Sequence, residues 1–256
     1  MKTNKRKIGY INGILMVILI SLVAILANHI ILGNEQIIPP VGNGDKSTNN
    51  SNNITASPSI PASLPAPAIT AEISDKADII LLVNKDHKLP DDYKPDLVKT
   101  DREKVAEVLL DDLQEMRKAA EKERVYLYIA NAYRTKTEQE RIFNQTVDDY
   151  INNGNSPNAA VEKAKYTAAL PGYSEHETGL AIDFSFNGNA DKQADMWNWL
   201  SNNAYKYGFI LRYPEGKENI TGYSYEPWHF RYVGKQHARA IYEQGLVLEE
   251  YLNTLP

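Results

Sequence analysis

Ser174-Glu175-His176-Glu177-Thr178-Gly179-Leu180-Ala181-Ile182-Asp183-Phe184-Ser185-Phe186 reads as a loop that turns into a strand. Leu180, Ile182, Phe184 and Phe186 recur at every second position, the period of a half-buried strand. Asp183 falls on the other face, away from the side that those four residues give to the core. His176 enters from the loop before the strand. A second stretch, Glu226-Pro227-Trp228-His229, opens another strand-like run over 229–233. If that run pairs with the first, His229 presents its imidazole on the same face as Asp183.

Around these two stretches, strands and helices alternate irregularly. Ile79-Ile80-Leu81-Leu82-Val83 is a short apolar run followed by loop signals at Pro90 and Pro95. Thr100-Asp101-Arg102-Glu103 matches a capping box, and Val105, Leu109, Leu113, Met116 and Ala120 continue at helical spacing. Residues 125–131 alternate like a strand. Thr137 with Glu140 predicts a second capped helix carrying Ile142, Val147, Tyr150 and Ile151, which Gly154 ends. Ser156-Pro157 starts a further helix. Met196, Trp197, Leu200 and Ala204 mark another that stops near Gly208, and a strand-like piece at 209–213 follows. A helix over 235–243 comes after the 229–233 run. Without regular βαβ alternation or an internal repeat, the class is α+β.

These elements occupy 72–256, the globular domain, which holds 23 of the 24 aromatic residues. Two different segments precede it. Residues 8–28 carry no charge and are mostly apolar, and Lys2, Lys5, Arg6 and Lys7 stand before them. A bilayer core takes roughly 20 such residues as a helix, and the basic flank belongs on the cytoplasmic side. Residues 1–33 are therefore expected to anchor the chain by one N-terminal span with the rest extracytoplasmic. The alternative is a cleaved signal peptide, whose apolar run is shorter, about 7–15 residues. Residues 34–71 hold six of the thirteen prolines, the run Ser47-Thr48-Asn49-Asn50-Ser51-Asn52-Asn53 and no aromatic residue. They read as a disordered tether with a mean reach of roughly 35 Å.

Composition excludes several classes. There is no cysteine, so thiolate zinc sites, iron–sulfur clusters, disulfides and cysteine nucleophiles are absent. The chain has 28 basic and 33 acidic residues, and four of the basic ones sit at the extreme N-terminus. The remainder is acidic, so nucleic acid is not an expected partner.

Histidine is scarce, with five in the chain. His29 and His87 have uninformative surroundings, and His237 reads as packing or surface. Two imidazoles and one carboxylate, His176, His229 and Asp183, form a normal catalytic zinc set that leaves a position for water. Glu226, held by Pro227 three residues before His229, is the candidate to move that water's proton. The same residues also fit a structural role, with His176 satisfying its loop, Asp183 accepting backbone hydrogen bonds and His229 packing by Trp228. Glu177 belongs to half of an H-E-x-x-H pattern, but position 180 is leucine, so it reads as a solvated loop residue.

Ser174, His176, Gly179, Ala181 and Asp183, in the pattern S-x-H-x-x-G-x-A-x-D, together with the later E-P-W-H, resemble the VanY-type D-alanyl-D-alanine carboxypeptidases. That family includes the related L,D-carboxypeptidases of peptidoglycan. The likeness extends from Leu81-Leu82-Val83-Asn84-Lys85 through Ala132-Tyr133-Arg134 to Tyr232-Val233-Gly234. It implies one zinc ion on His176, Asp183 and His229, with Glu226 as general base. It also implies a small antiparallel sheet flanked by helices, with the metal on the sheet face. Arg134 would bind the substrate's terminal carboxylate, which suits its forked guanidinium. Gln139 and Ser174 match positions that hydrogen-bond substrate, and Tyr213 and Trp228 are candidates to line the pocket. The implied activity is zinc-dependent release of a C-terminal D-alanine from peptidoglycan stem peptides, D,D or L,D. The alternatives are an endopeptidase acting on wall cross-links and a wall-binding or sensing ectodomain without turnover.

Overall fold

The computed structural model describes residues 77–186 and 190–255. The expected anchor (1–33) and tether (34–71) lie outside the described residues. No helix among the described residues is long and apolar enough to cross a membrane.

Among the described residues, six strands form two antiparallel sheets. β1 (Leu97–Lys99) and β2 (Lys104–Ala106) make a hairpin, and β3 (Ile129–Asn131), β4 (Ala181–Phe184), β5 (Phe209–Leu211) and β6 (His229–Tyr232) make a four-stranded sheet ordered β3-β4-β6-β5. The 180–186 and 229–233 runs do pair, as β4 and β6, with Asp183 opposite His229, Ile182 opposite Phe230 and Ala181 opposite Arg231. Because side chains alternate across a strand, this register sorts the sheet into two faces. Ile182, Phe184, Phe230 and Tyr232 share one, packed in a single apolar cluster with helices α1 (Leu110–Lys122) and α4 (Ala190–Asn203). Burying each such large side chain contributes roughly 1.5–3 kcal/mol. Asp183, His229 and Arg231 share the other face.

Two further helices, α2 (Lys136–Asn152) and α3 (Pro157–Thr167), pack on each other through Phe143, Ala164 and Ala168. Ser156 caps α3 with Pro157 in its first turn, as the Ser-Pro pair predicts. After β5 come the short α5 (Glu218–Thr221) and, beyond β6, α6 (Lys235–Gln244) and α7 (Leu248–Leu252). These last two close over Ile210 and Val233 with Ala238, Ile241, Leu248 and Tyr251. The fold is α+β, as expected.

Three local expectations are corrected. Thr100 and Glu103 do not cap a helix. The Thr100 hydroxyl accepts from the Glu103 N–H (3.2 Å) and donates to its carbonyl (2.8 Å), closing the β1–β2 turn. The same short-range bond serves a cap or a tight turn, and the pairing of β2 decides for the turn, so the helix begins later. In 125–131 only the last three residues are strand. Leu127 and Ile129 are buried while Tyr126 and Tyr128 are exposed, so the alternation is real. However, β4 ends opposite Ile129 at Phe184, and beyond that pair one bond, from the Ser185 N–H to the Tyr128 carbonyl at 3.0 Å, is too little to extend the strand. Finally, α2 is capped by Thr135 with Glu138, not by Thr137 with Glu140. The sequence Thr135-Lys136-Thr137-Glu138-Gln139-Glu140 contains the box in two overlapping registers.

Candidate metal centre

The loop before β4 folds as a 3-10 turn, Glu175–Thr178, which ends at Gly179 with φ +73°. A Cβ there would come within 3.0 Å of the Ala106 amide nitrogen and of the Leu97 side chain. Only glycine combines that left-handed backbone with so close an approach to β2. The turn drops His176 beside Asp183 of β4, while β6 brings His229 across from it. Ligating atoms of His176, Asp183 and His229 all lie within 4.8 Å of one another. The two imidazoles stand perpendicular, with ring centroids 4.9 Å apart.

Partners on the far side of each ring define which nitrogen faces inward. His176 Nδ1 donates to the Ala132 carbonyl at 2.7 Å, so its Nε2 lone pair points at Asp183 Oδ2, 3.3 Å away. His229 Nε2 donates to Glu175 Oε2 at 3.3 Å, turning Nδ1 toward Asp183 Oδ1 at 3.1 Å. That approach is not aligned as a hydrogen bond, and Asp183 Oδ1 is buried without a hydrogen-bond partner. Two inward-facing ring nitrogens on a buried carboxylate with one unsatisfied oxygen are the donor set of a cation site.

Burial, reinforced by nearby Arg134, pulls the His176 pKa down to about 4, leaving the ring neutral. Burial opposes charge on His229 too, but the adjoining Asp183 and Glu175 carboxylates carry its pKa up to about 9. Asp183 is held well below the usual carboxylate range; burial pushes it up, but the two histidines outweigh that.

Glu226 completes the centre. The turn from Glu226 to His229 is closed by the His229 N–H on the Glu226 carbonyl at 3.1 Å, with Pro227 at the position that proline pre-sets. This sets Glu226 Oε2 3.7 Å from His229 Nδ1. Burial raises the Glu226 pKa to about 7; His229 works against that rise and Asp183 adds to it.

Arg134 follows β3, and its N–H bonds the His176 carbonyl at 3.1 Å. Its guanidinium donates to Gln139 Oε1 at 2.7 Å and lies 3.6 Å from Asp183 Oδ2, while Nε is buried without a partner. Gln139 is buried, not surface-exposed, and its amide donates to the Ala169 carbonyl at 2.7 Å. Ser174 is buried at the head of the 3-10 turn. Tyr213 is buried with its ring 4.9 Å from that of His229. Trp228 pairs instead with Trp197 of α4, at 6.0 Å.

Glu177 is not solvated: it is buried and accepts from the Gly172 N–H at 2.7 Å. His237 is buried on Tyr251, a packing role. Sequence reasoning missed Glu175, and it missed Asn131, whose amide donates to Asp183 Oδ2 at 3.3 Å. It also missed Arg212 and Arg231, which flank Glu175 at 2.7 and 2.8 Å. Arg231 carried a signal, because it is a charge two residues after His229 on the same strand face.

Two imidazoles and a carboxylate converging beside a raised-pKa glutamate and a half-satisfied arginine define the centre of a mononuclear metallohydrolase. Residues 102–235 match the VanY family, described as D-alanyl-D-alanine carboxypeptidase. The chain is 40% identical over 176 residues to a D-alanyl-D-alanine carboxypeptidase of Enterococcus faecalis, an alignment covering 68% of this chain and 66% of that one. A crystal structure of a mutant of the vancomycin-resistance D,D-pentapeptidase VanY, in complex with Zn(II), matches with TM-score 0.66 and 40% identity. It covers 68% of this chain and 99% of that one. The LD-carboxypeptidase LdcB matches with TM-score 0.59 and 40% identity over 68% of this chain and 86% of that one. The chain belongs to the VanY family of D-alanyl-D-alanine carboxypeptidases.

Proposed function

We propose that the protein is a zinc-dependent carboxypeptidase that releases a C-terminal D-alanine from peptidoglycan stem peptides. His176, Asp183 and His229 would hold the metal. The reading is carried by one observation: Arg134 keeps an unpartnered donor next to three converging ligands. A guanidinium with donors to spare binds a carboxylate in two-pronged fashion. Placed beside the reacting centre, it selects a chain end over an internal bond, which favours carboxypeptidase over endopeptidase.

Zinc held by His176, Asp183 and His229 would supply an acidified water and a Lewis acid for the scissile carbonyl. Glu226 accepts a proton from the attacking water and delivers it to the leaving amine, a task suited to a carboxyl whose pKa lies near 7. Gln139 holds the Arg134 fork in place. Tyr213 forms a wall against His229, and Ser174 and Trp228 are proposed to border the stem. Likeness to both a D,D-pentapeptidase and an LD-carboxypeptidase supports either a pentapeptide or a tetrapeptide as substrate. The uncharged run at 8–28, behind its basic flank, supports a membrane anchor that leaves this domain extracytoplasmic.

D-alanine release should be measured on a pentapeptide stem ending in D-Ala-D-Ala and on a tetrapeptide stem ending in one D-Ala, with and without a chelator. Release from one stem that the chelator abolishes is the expected result and names the subsite preference. Zinc-loaded protein that cuts neither stem refutes the assignment.

A further inference from the structure

Behind the centre lies a buried charged relay that reaches the C-terminal helix. Glu175 is 2% exposed, and Arg212 and Arg231 are fully buried. Glu175 Oε2 accepts from His229, while Oε1 accepts from Arg212 Nε at 2.7 Å and from an Arg231 Nη at 2.8 Å. Arg212 turns its two remaining nitrogens to Glu249 of α7, at 2.9 and 2.7 Å. Glu249 in turn accepts from Asn84 at 3.1 Å. Arg231 also donates to the carbonyls of Ile79 and Leu81 at 3.1 and 2.9 Å. Two carboxylates and two guanidinium groups thus neutralise one another where each alone would be costly to bury. Asn84 and Glu249 both lie outside the 102–235 stretch that defines the family.

Replacing such a cluster with apolar residues often costs nothing in stability, so its presence calls for another role. The geometry supplies one. A carboxylate that receives the outer N–H of a ligating imidazole fixes both its tautomer and its ring angle. We infer that Glu175 is a positioning residue that holds His229 with Nδ1 facing the metal, and that Glu249 keeps Glu175 in register through Arg212. The inference rests on the metal role of His229 proposed above. It makes α7 part of the metal centre although no residue of α7 touches the ligands.

The test uses the full chain, stripped of metal, in wild-type form and as Glu175→Gln, Glu249→Gln and His176→Ala. Zinc affinity is read by chelator competition, and ligand geometry by the visible absorption of the cobalt-loaded protein. Glu175→Gln should weaken zinc about 10–100-fold and shift the cobalt bands. Glu249→Gln should move both readouts in the same direction by less. If Glu175→Gln does not fold, Glu249→Gln decides alone, since Arg212 keeps one carboxylate partner in it. Unchanged affinity and spectrum in the folded variants, whatever their thermal stability, overturn the inference. Wild-type protein that does not bind zinc, or His176→Ala that binds it as tightly, strikes the metal reading instead.

Discussion

Glu226 and His229 stand 3.7 Å apart, and their surroundings raise both pKa values, that of Glu226 to about 7 and that of His229 to about 9. Glu226→Gln keeps the shape of the side chain and removes its capacity to take a proton. Turnover should fall about 10²–10⁴-fold while zinc content stays at the wild-type level, checked by D-alanine release alongside metal analysis. Without metal, His229 retains a proton up to about pH 9, whereas His176 is neutral above about pH 4. A metal must displace the His229 proton. Zinc loading at pH 7 should therefore release about one proton, and affinity should rise with pH until about 9. Calorimetry in buffers of different ionisation enthalpy counts that proton; no dependence on the buffer would refute the assigned protonation state.

Elements translate sequence patterns into these positions, and the patterns differ in how much they specify. The alternation in 180–186 placed Asp183 on the right face, because a strand has one period and its apolar side faced α1 and α4 as required. The capping box before α2 was less specific. Its two registers differ by two residues, a rotation of more than half a turn, and the choice determines which side chains face inward. Thr135 as cap puts Gln139 inward against Arg134. Thr135→Ala should cost about 1 kcal/mol of stability, whereas Thr137→Ala, outside the cap, should cost less; urea unfolding of both compares them. Equal losses would argue that both registers are used.

Across the whole molecule the buried relay also ties stability to pH. Burial alone would raise the Glu175 carboxyl, but Arg212 and Arg231 hold it below the usual range. A depressed carboxylate contributes stability that is full above its unfolded pKa of 4.5 and is lost as pH falls toward its folded value. Metal-free protein should accordingly lose urea resistance below about pH 4.5, and Glu175→Gln should flatten that loss. An equally steep acid loss in the variant would assign it to other carboxylates. Sequence alone determined the α+β class and the face of Asp183, and it offered His176, His229 and Glu226 as neighbours on the condition that the two motif-bearing strands pair; Arg134 joined them through the family resemblance. Each of those rests on local period, turn chemistry or a short pattern with few ways to fold. Only the tertiary structure decided what stands behind them. Glu175, Arg212, Arg231 and Glu249 meet across separations of up to 74 residues, and a buried charge is tolerated only where distant chain segments bring it an opposite one. Sequence spacing does not encode that condition.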